Sequence, residues 1–488
     1  MSLSRNAAYN LIGQAAPIVV SLVTIPIYLK LVGVERYGVL AIAWMLLGYF
    51  GLFDFGLTRA TSYRIAYHRD GTSAARALTF GTAIAVAFGL AVIGAILLYF
   101  GGYWYFTGPF EVSPSLRAEA VAALPILAFA LPGAIIAGVL NGSLQGRERF
   151  FEVNVVGIGT STLSQIMPVL VAWLIGPRLG WLLAASVGVQ FAAIAILWWR
   201  CRVRVLEGNR FRASGAEARA LLHYGGWITV STAVAPFMVV VDRFVIGTFF
   251  DAKAVTAYTV PAMLAQRVSM IPYSLSAALF PRLSADTDRA SAAKLSLDAT
   301  RAAMTILTPV VMGGICIMGP FLQIWLGGAL PREATTIGQV ALLGWWVNGL
   351  AINPYSLLQA TGRPRITALL HLSELPIYAL LLWFFTSRYG LVGAAVASSI
   401  RCAIDCLILS LLAYRRATGL LPYAVPAVIL IAAVPIVGTL QLTVGDISLA
   451  AALIGVTLVW SALVLPPELR QSLINMIFRS SNIKVSQA

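Results

Sequence analysis

The chain has 488 residues, of which 59% are apolar and only 11% are charged. Soluble globular domains carry about 25% charged residues, so a water-soluble protein of this composition would lack the polar side chains that cover a surface. The composition therefore indicates an all-α polytopic membrane protein and excludes a soluble enzyme.

Long apolar segments follow one another along the whole chain and predict about fourteen membrane-spanning helices. We place them at about 10–31, 38–58, 78–100, 119–141, 154–175, 180–199, 221–250, 256–280, 302–326, 335–360, 366–387, 391–414, 422–441 and 447–465. Prolines interrupt the first of them, which is typical of transmembrane helices whose neighbours satisfy the freed carbonyl groups. The third carries Ala83, Ala87, Ala91 and Ala95 at every fourth position, which predicts a face for close helix packing.

The net charge of +15 is distributed unevenly between the loops. Of the 34 Lys and Arg residues, 24 lie in the N-terminus, the even-numbered loops and the C-terminus, and seven lie in the odd-numbered loops. Positive charge marks the cytoplasmic side of a membrane protein, so we expect both termini in the cytoplasm. This distribution explains the basic balance and argues against a nucleic-acid partner.

Short sequence echoes lie between spans that are six apart. The pair Leu144-Gln145 recurs 214 positions later as Leu358-Gln359. The motif Gly-Arg-x-Arg starts at Gly146 and recurs 216 positions later, starting at Gly362. Two further echoes have offsets of 210 and 221. They predict two pseudo-symmetric six-helix bundles in the same orientation, because six is an even number of spans.

This repeat gives the predicted domain organisation. We expect an N-terminal six-helix bundle over 1–200, a basic cytoplasmic linker over 201–220 and a C-terminal six-helix bundle over 221–416. An extra helix pair, spans 13 and 14, follows over 417–466, and a cytoplasmic tail occupies 467–488. The linker is interpreted as either the hinge between the bundles or a positive anchor at the lipid headgroups.

Charged residues inside apolar spans are the candidate functional residues, because each costs about 2.5–3.5 kcal/mol at a helix centre. Asp242 and Arg243 lie side by side in span 7, and Arg267 lies near the middle of span 8 at a depth that allows pairing. A second set lies in spans 11 and 12 and comprises His371, Glu374, Arg401 and Asp405. Arg401 and Asp405, one turn apart, form either a structural ion pair or part of a polar cavity.

Other polar residues mark the cytoplasmic ends of the spans. Asp54 and Arg59 form either an ion pair that anchors the end of span 2 or a charged gate. Gln145 and Gln359, at equivalent ends of the two halves, are candidate hydrogen-bond donors to a cargo in the cavity. An arginine that faces a watery cavity would bind phosphate through paired hydrogen bonds. A carboxylic acid without a full partner would exchange H⁺ or Na⁺, which makes Asp54, Asp242, Glu374 and Asp405 candidates for ion coupling or gating. His371, which lies in the same span as Glu374, is a further candidate.

No motif of an enzyme or of a cofactor site is found. The sequence lacks a Gly-rich phosphate loop, a His-Glu-x-x-His motif and a Ser-His-Asp set, so neither a cofactor nor ATP hydrolysis within the chain is expected. Cys402 and Cys406 are one turn apart, but a thiolate metal site needs more ligands, so no metal is expected either.

Several motifs resemble those of the Wzx-type polysaccharide-biosynthesis flippases of the multidrug/oligosaccharidyl-lipid/polysaccharide (MOP) superfamily. They are Gly33-x-Glu35-x-Tyr37-Gly38, Phe53-Asp54-Phe55-Gly56-Leu57, Gln145-Gly146-Arg147 and Asp242-x-Phe244-x-Ile246-Gly247. The resemblance covers about residues 1–415 and implies two bundles of the MATE/MOP type that work by alternating access. It implies a lipid-linked oligosaccharide as cargo, flipped from the inner to the outer leaflet on an undecaprenyl-pyrophosphate carrier.

The resemblance also implies an arginine-lined central cavity, which falls here on Arg59 and Arg267, with Arg243 and Arg401 as further members. Partners would be membrane lipids and the polymerase or assembly proteins of O-antigen, capsule or exopolysaccharide synthesis. Two alternatives stay open: a multidrug or cation antiporter of the same fold, and a membrane glycosyltransferase or polymerase. Arginines in the cavity favour an anionic cargo over a cationic drug, and the short outer loops argue against a large catalytic loop.

Overall fold

The computed structural model describes residues 3–49, 54, 56–68, 72–285, 288–414, 421–437 and 443–465. The chain forms two compact units, Met1–Thr256 and Ala257–Ala488. Every regular element among the described residues is a helix, as the composition predicts. The predicted cytoplasmic tail at 467–488 lies outside the described residues.

The first unit contains the helices up to the beginning of α9. They are α1 (Leu3–Val32), α2 (Val34–Tyr49), α3 (Leu57–Tyr67), α4 (Ser73–Thr107), α5 (Pro114–Gly146), α6 (Phe150–Leu174), α7 (Leu179–Cys201) and α8 (Gly215–Phe249). The second unit contains the later helices. They are α9 (Ala252–Gln266, which begins before the division), α10 (Met270–Ala285), α11 (Arg289–Leu326), α12 (Glu333–Ala360), α13 (Pro364–Tyr414), α14 (Leu421–Val437) and α15 (Val444–Val464).

The fourteen predicted spans fall on these helices, with three differences in detail. Span 2 is divided, because α2 ends at Tyr49 and α3 begins at Leu57. Span 8 is α9 and α10 joined by one 3₁₀ turn, and spans 11 and 12 are the two parts of α13, which is broken at Gly390 by a φ of 63°. Seven described helices are long and apolar enough to cross a membrane, so the total of fourteen stays a prediction.

Small residues place α4 against α5 in the first unit. Ala83, Ala87 and Ala91 are fully buried in a cluster with Leu131 and Ile135 of α5, which confirms the predicted packing face of span 3. Large apolar side chains elsewhere are exposed, among them Leu97, Ile324 and Leu463. Lipid contact explains this exposure in a polytopic membrane protein.

The motif around Glu35 is a structural one. Glu35 accepts a hydrogen bond from the backbone N–H of Ser113 at 2.8 Å, at the start of α5. Arg36 makes two bonds to Glu119, at 2.8 and 3.2 Å, and Tyr37 is buried against Tyr28. These contacts join the turn between α1 and α2 to α5.

The basic linker packs on the surface of α4. A π-helical turn (Arg202–Leu206) continues α7, and Glu207 then accepts hydrogen bonds from Arg76 at 2.9 Å and Arg147 at 3.1 Å. The chain crosses α4 so closely at Gly81 that a Cβ there would lie 2.1 Å from the carbonyl oxygen of Arg212. We call residues 202–214 the strap. The exposed guanidinium groups of Arg202, Arg210 and Arg212 suit the anchoring interpretation.

Helix α8 packs on α2, α3 and α4, and the structure divides the chain after Thr256. The predicted bundle boundary at 201–220 and the separate pair of C-terminal helices stay predictions.

Candidate functional site

Arg267 lies at a break between two helices. Pro272, in the first turn of α10, has no N–H to donate to the carbonyl of Val268, and the segment Arg267–Ser269 forms a 3₁₀ turn instead of continuing α9. The hydroxyl of Ser269 donates to the carbonyl oxygen of Gln266 at 2.7 Å and stabilises the turn. The Arg267 side chain is exposed and makes no ion pair or hydrogen bond with any described residue. It is therefore available to an anion.

Asp242 and Arg243 form a pair within α8. Both are buried, and Arg243 Nη1 lies 3.2 Å from Asp242 Oδ1 and also donates to the carbonyl oxygen of Val239. The hydroxyl of Tyr105, on α4, donates to the carbonyl oxygen of Phe244, the residue after Arg243, at 2.9 Å. This local pairing satisfies both charges. The predicted pairing with Arg267, which lies in the second unit, stays a prediction.

The two parts of α13 bring four ionisable side chains together in the second unit, and we call them the α13 cluster: His371, Glu374, Arg401 and Asp405. Three of them are buried, with exposed fractions of 7% for His371, 3% for Glu374 and 5% for Asp405. The turn at Gly390 reverses the chain, so that residues near both ends of α13 meet. The sequence prediction that these four residues can surround one site agrees with this placement.

Two ionic contacts within the α13 cluster run between the two parts of α13. Arg401 Nη1 lies 3.9 Å from Glu374 Oε2, and His371 Nε2 lies 3.5 Å from Asp405 Oδ1. Each of these two contacts therefore joins the two parts of α13. Both Glu374 oxygens and Asp405 Oδ1 lack a hydrogen-bond partner among the described residues.

Aromatic and sulfur groups complete the surroundings of the α13 cluster. The ring of His371 stacks on Tyr355 of α12, with centroids 5.8 Å apart and planes at 11°. The Arg401 guanidinium lies 5.5 Å from the ring centre of Tyr378 and donates to Cys402 Sγ at 3.1 Å. Sequence reasoning missed both tyrosines, although Tyr378 follows Glu374 by one helical turn and that spacing could have indicated it.

Asp54 bonds to backbone and hydroxyl groups at the beginning of α3 rather than to Arg59. Asp54 accepts hydrogen bonds from the N–H of Gly56 at 2.8 Å, the N–H of Thr58 at 3.2 Å and the hydroxyl of Thr58, and so caps the start of α3. Arg59 is exposed and makes no ion pair with a described residue. Its guanidinium is therefore available, like that of Arg267.

The two predicted glutamines lie at the ends of α5 and α12. Gln359 Nε2 donates to Thr367 Oγ1 at 2.9 Å and so joins α12 to α13, and Gln145 is half-buried. No group of three or more His, Cys, Asp or Glu residues in the described part of the chain is arranged to hold a metal ion.

An apolar groove of about 580 Å³ lies between α11 and α15. Its walls carry Ile317, Phe321 and Ile324 on one side and Ile447 and Ile454 on the other, with Asp446 at the edge. The last described helix therefore forms an apolar groove with α11.

Comparisons with known proteins point to one group of transporters. A family model described as polysaccharide biosynthesis protein matches residues 3–285. A candidate O-antigen transporter of Shigella flexneri is 32% identical over 424 residues, which cover 85% of this chain and 98% of that protein.

Solved structures show the same fold. An inward-facing MATE family multidrug resistance transporter of the MOP superfamily superposes with a TM-score of 0.71 at 13% identity, over 84% of this chain and 98% of that one. The lipid II flippase MurJ in an inward closed conformation has a TM-score of 0.67 at 15% identity, over 92% and 98%. The predicted MATE/MOP-like fold is confirmed.

Proposed function

The chain belongs to the polysaccharide biosynthesis protein family, and from that premise we propose that it flips an undecaprenyl-pyrophosphate-linked oligosaccharide from the inner to the outer leaflet by alternating access. The 32% identity to a candidate O-antigen transporter over nearly its full length is the observation that supports this cargo most strongly. The flipped oligosaccharide would serve O-antigen, capsule or exopolysaccharide synthesis. The protein would be a transporter without enzymatic activity, with both termini on the cytoplasmic side of the bacterial inner membrane.

Arg267 and Arg59 are the proposed contacts to the pyrophosphate. Both are exposed and neither is paired with a described residue, whereas Arg243 and Arg401 face carboxylates of their own unit. A guanidinium binds phosphate oxygens through two parallel hydrogen bonds, and such charge-assisted bonds contribute about 1.5–3 kcal/mol each. The helix break at Arg267 supports this role, because irregular backbone inside a membrane protein is found where it borders a polar cavity.

The groove between α11 and α15 is the proposed location of the polyprenyl chain. Its lining is apolar over its whole length except at Asp446, which suits a hydrocarbon ligand. A lipid-linked cargo needs such a surface beside the membrane as well as a polar site for its headgroup.

The energy would come from a proton or sodium gradient, since the sequence contains no nucleotide-binding motif.

The test is transport by the purified full chain in proteoliposomes. A fluorescent polyprenyl-pyrophosphate oligosaccharide and a small cationic dye are offered side by side, and the Arg267→Ala variant is compared with Arg301→Ala. Arg301 is a matched control in the same unit, because it is partly exposed and paired with Asp298.

We expect the lipid-linked oligosaccharide to cross, Arg267→Ala to reduce its transport about tenfold or more, and Arg301→Ala to leave it unchanged. Transport of the dye alone would contradict the proposed cargo and favour the multidrug or cation antiporter. Chemical modification of the oligosaccharide by the purified protein would instead indicate a glycosyltransferase or polymerase.

A further inference from the structure

The α13 cluster carries an uneven charge in a buried place. Two carboxylates in the cluster, those of Glu374 and Asp405, face one guanidinium, that of Arg401, beside the imidazole of His371, so the carboxylates outnumber the guanidinium by one. Unbalanced buried charge costs several kcal/mol, so such a site binds a further positive charge or neutralises an acid.

We propose that Glu374 and Asp405 hold one exchangeable proton between them, which makes the α13 cluster the proton-binding site of this transporter. Its use in driving cargo rests on the proposed function, whereas the binding of the proton does not. With the proton bound, the cluster would be neutral.

The contacts favour the acid pair as the place of the proton. Both oxygens of Glu374 and one oxygen of Asp405 lack a hydrogen-bond donor among the described residues, and both side chains are buried where the two parts of α13 meet. A proton on Glu374 would supply the missing donor toward Asp405 and remove the repulsion between two like charges. Arg401, at 3.9 Å from Glu374, is too distant to replace that hydrogen bond.

A metal cation fits this site less well than a proton. Sodium and other hard cations need several oxygen ligands, and the described residues offer no group of three or more acidic, His or Cys side chains arranged for one. The guanidinium of Arg401 would also repel a metal ion.

Other titratable groups face the pair from the helices around it. They are His371, Tyr378, Cys402 and Cys406 on α13, Tyr355 on α12 and Tyr273 on α10. Tyrosine and cysteine are neutral in their ordinary range near pH 7, so His371 is the neighbour that the experiment must separate from the acid pair. Its Nε2 lies 3.5 Å from Asp405, and it lies nearer the beginning of α13 than Glu374 does.

The first experiment detects the proton without any cargo. Infrared difference spectra of the purified full chain are recorded between acidic and alkaline pH, and the C=O stretching band of a protonated carboxyl is followed. We expect the band in the wild type and in His371→Gln, and its loss in Glu374→Gln and Asp405→Asn. Asp298→Asn is the control, since Asp298 is a partly exposed acid of the same unit.

Three outcomes would overturn the proposal: a wild type without the band, a band that persists in both Glu374→Gln and Asp405→Asn, or loss of the band in His371→Gln alone. Displacement of the band by Na⁺ at constant pH would indicate a sodium site instead. A thermal unfolding curve for each variant separates loss of the band from loss of the fold.

The second experiment separates the proton site from the cargo. Wild-type transport of the lipid-linked oligosaccharide should respond to an imposed pH gradient, and one pH unit shifts the transport equilibrium by up to about tenfold for each coupled proton. Glu374→Gln should transport at the same rate with and without the gradient. Arg267→Ala should lose transport and keep the infrared band. A wild type with the band but without transport contradicts the proposed function alone, and transport without the band contradicts the proton site alone.

Discussion

Glu148 and Gly362 take the same left-handed backbone conformation, with φ of 57° and 72°, just after the ends of α5 and α12. Arg149 N–H donates to the carbonyl of Leu144 at 2.9 Å, and Arg363 N–H donates to that of Leu358 at the same distance. A second bond of each turn ends on the carbonyl of Gln145 or Gln359. Both helices thus end in the same Schellman motif, 214 residues apart.

The first prediction concerns this position. Gly362→Ala should lower the free energy of unfolding by about 1–2 kcal/mol, because a side chain with a Cβ is strained in the left-handed region. Glu148→Gly, the reciprocal change, should not destabilise the protein by this mechanism. Thermal unfolding of both variants in detergent measures the difference. Equal destabilisation by both changes would contradict a shared conformational cause.

This turn shows what the sequence repeat could and could not predict. The Leu-Gln pair returns at an offset of 214 and the Gly-Arg-x-Arg motif at 216. The two helix ends superpose at the offset of 214, so Gly362 corresponds to Glu148 and not to Gly146. The Leu-Gln match therefore has the offset of the helix ends, and the Gly-Arg-x-Arg match is displaced from it by two residues. A Schellman turn is made by backbone groups, and one half tolerates Glu where the other has Gly, so the side chains gave a misleading match.

The charged residues show a similar limit. Helical spacing placed Arg401 and Asp405 on one face, and the depth of Glu374 brought it to the same level, which the α13 cluster confirms. Spacing could not predict that Arg401 approaches Glu374 while Asp405 approaches His371, because this depends on how the chain reverses at Gly390. The helix break at Arg267 was predictable in principle, since Pro272 lies five residues later.

The second prediction concerns pH and the contact between α3, α4 and α8. Burial by itself raises the pKa of Glu217, but hydrogen bonds from Arg64 at 2.9 Å and from the Thr79 hydroxyl at 2.7 Å outweigh it and lower that pKa below the ordinary value of 4.5. The stabilisation by ionised Glu217 is thus fully present above pH 4.5 and is lost as the pH falls through the lowered pKa.

Glu217→Gln should destabilise the protein at pH 7 by about 1–2 kcal/mol, a value that allows for the partial exposure of Arg64. The difference between wild type and variant should shrink below pH 4.5. Thermal unfolding between pH 3.5 and 7.5 checks this, and a constant difference over that range would contradict the assigned pairing.

The third prediction concerns the strap. Glu207 is the acceptor for both Arg76 and Arg147, so Glu207→Gln should loosen residues 202–214 from α4 and α5. Trypsin should then cleave after the exposed Arg210 and Arg212 a few times faster, since partly exposed ion pairs contribute about 1 kcal/mol at most. Glu152→Gln is the control, because its ion pair with Arg200 lies outside the strap. Equal cleavage rates in the two variants would show that Glu207 does not hold the strap.

The fourth prediction separates a structural from a coupling role for Asp242. Asp242→Asn removes the carboxylate that lies 3.2 Å from the buried Arg243 guanidinium, and breaking a buried ion pair from one side destabilises by about 3–5 kcal/mol. The double change Asp242→Asn with Arg243→Gln removes both charges and should recover most of that loss in thermal unfolding. If the double variant is as stable as the wild type and transports the lipid-linked oligosaccharide with an unchanged response to the pH gradient, the pair is structural. If it is stable but no longer responds to the gradient, Asp242 takes part in coupling together with the α13 cluster.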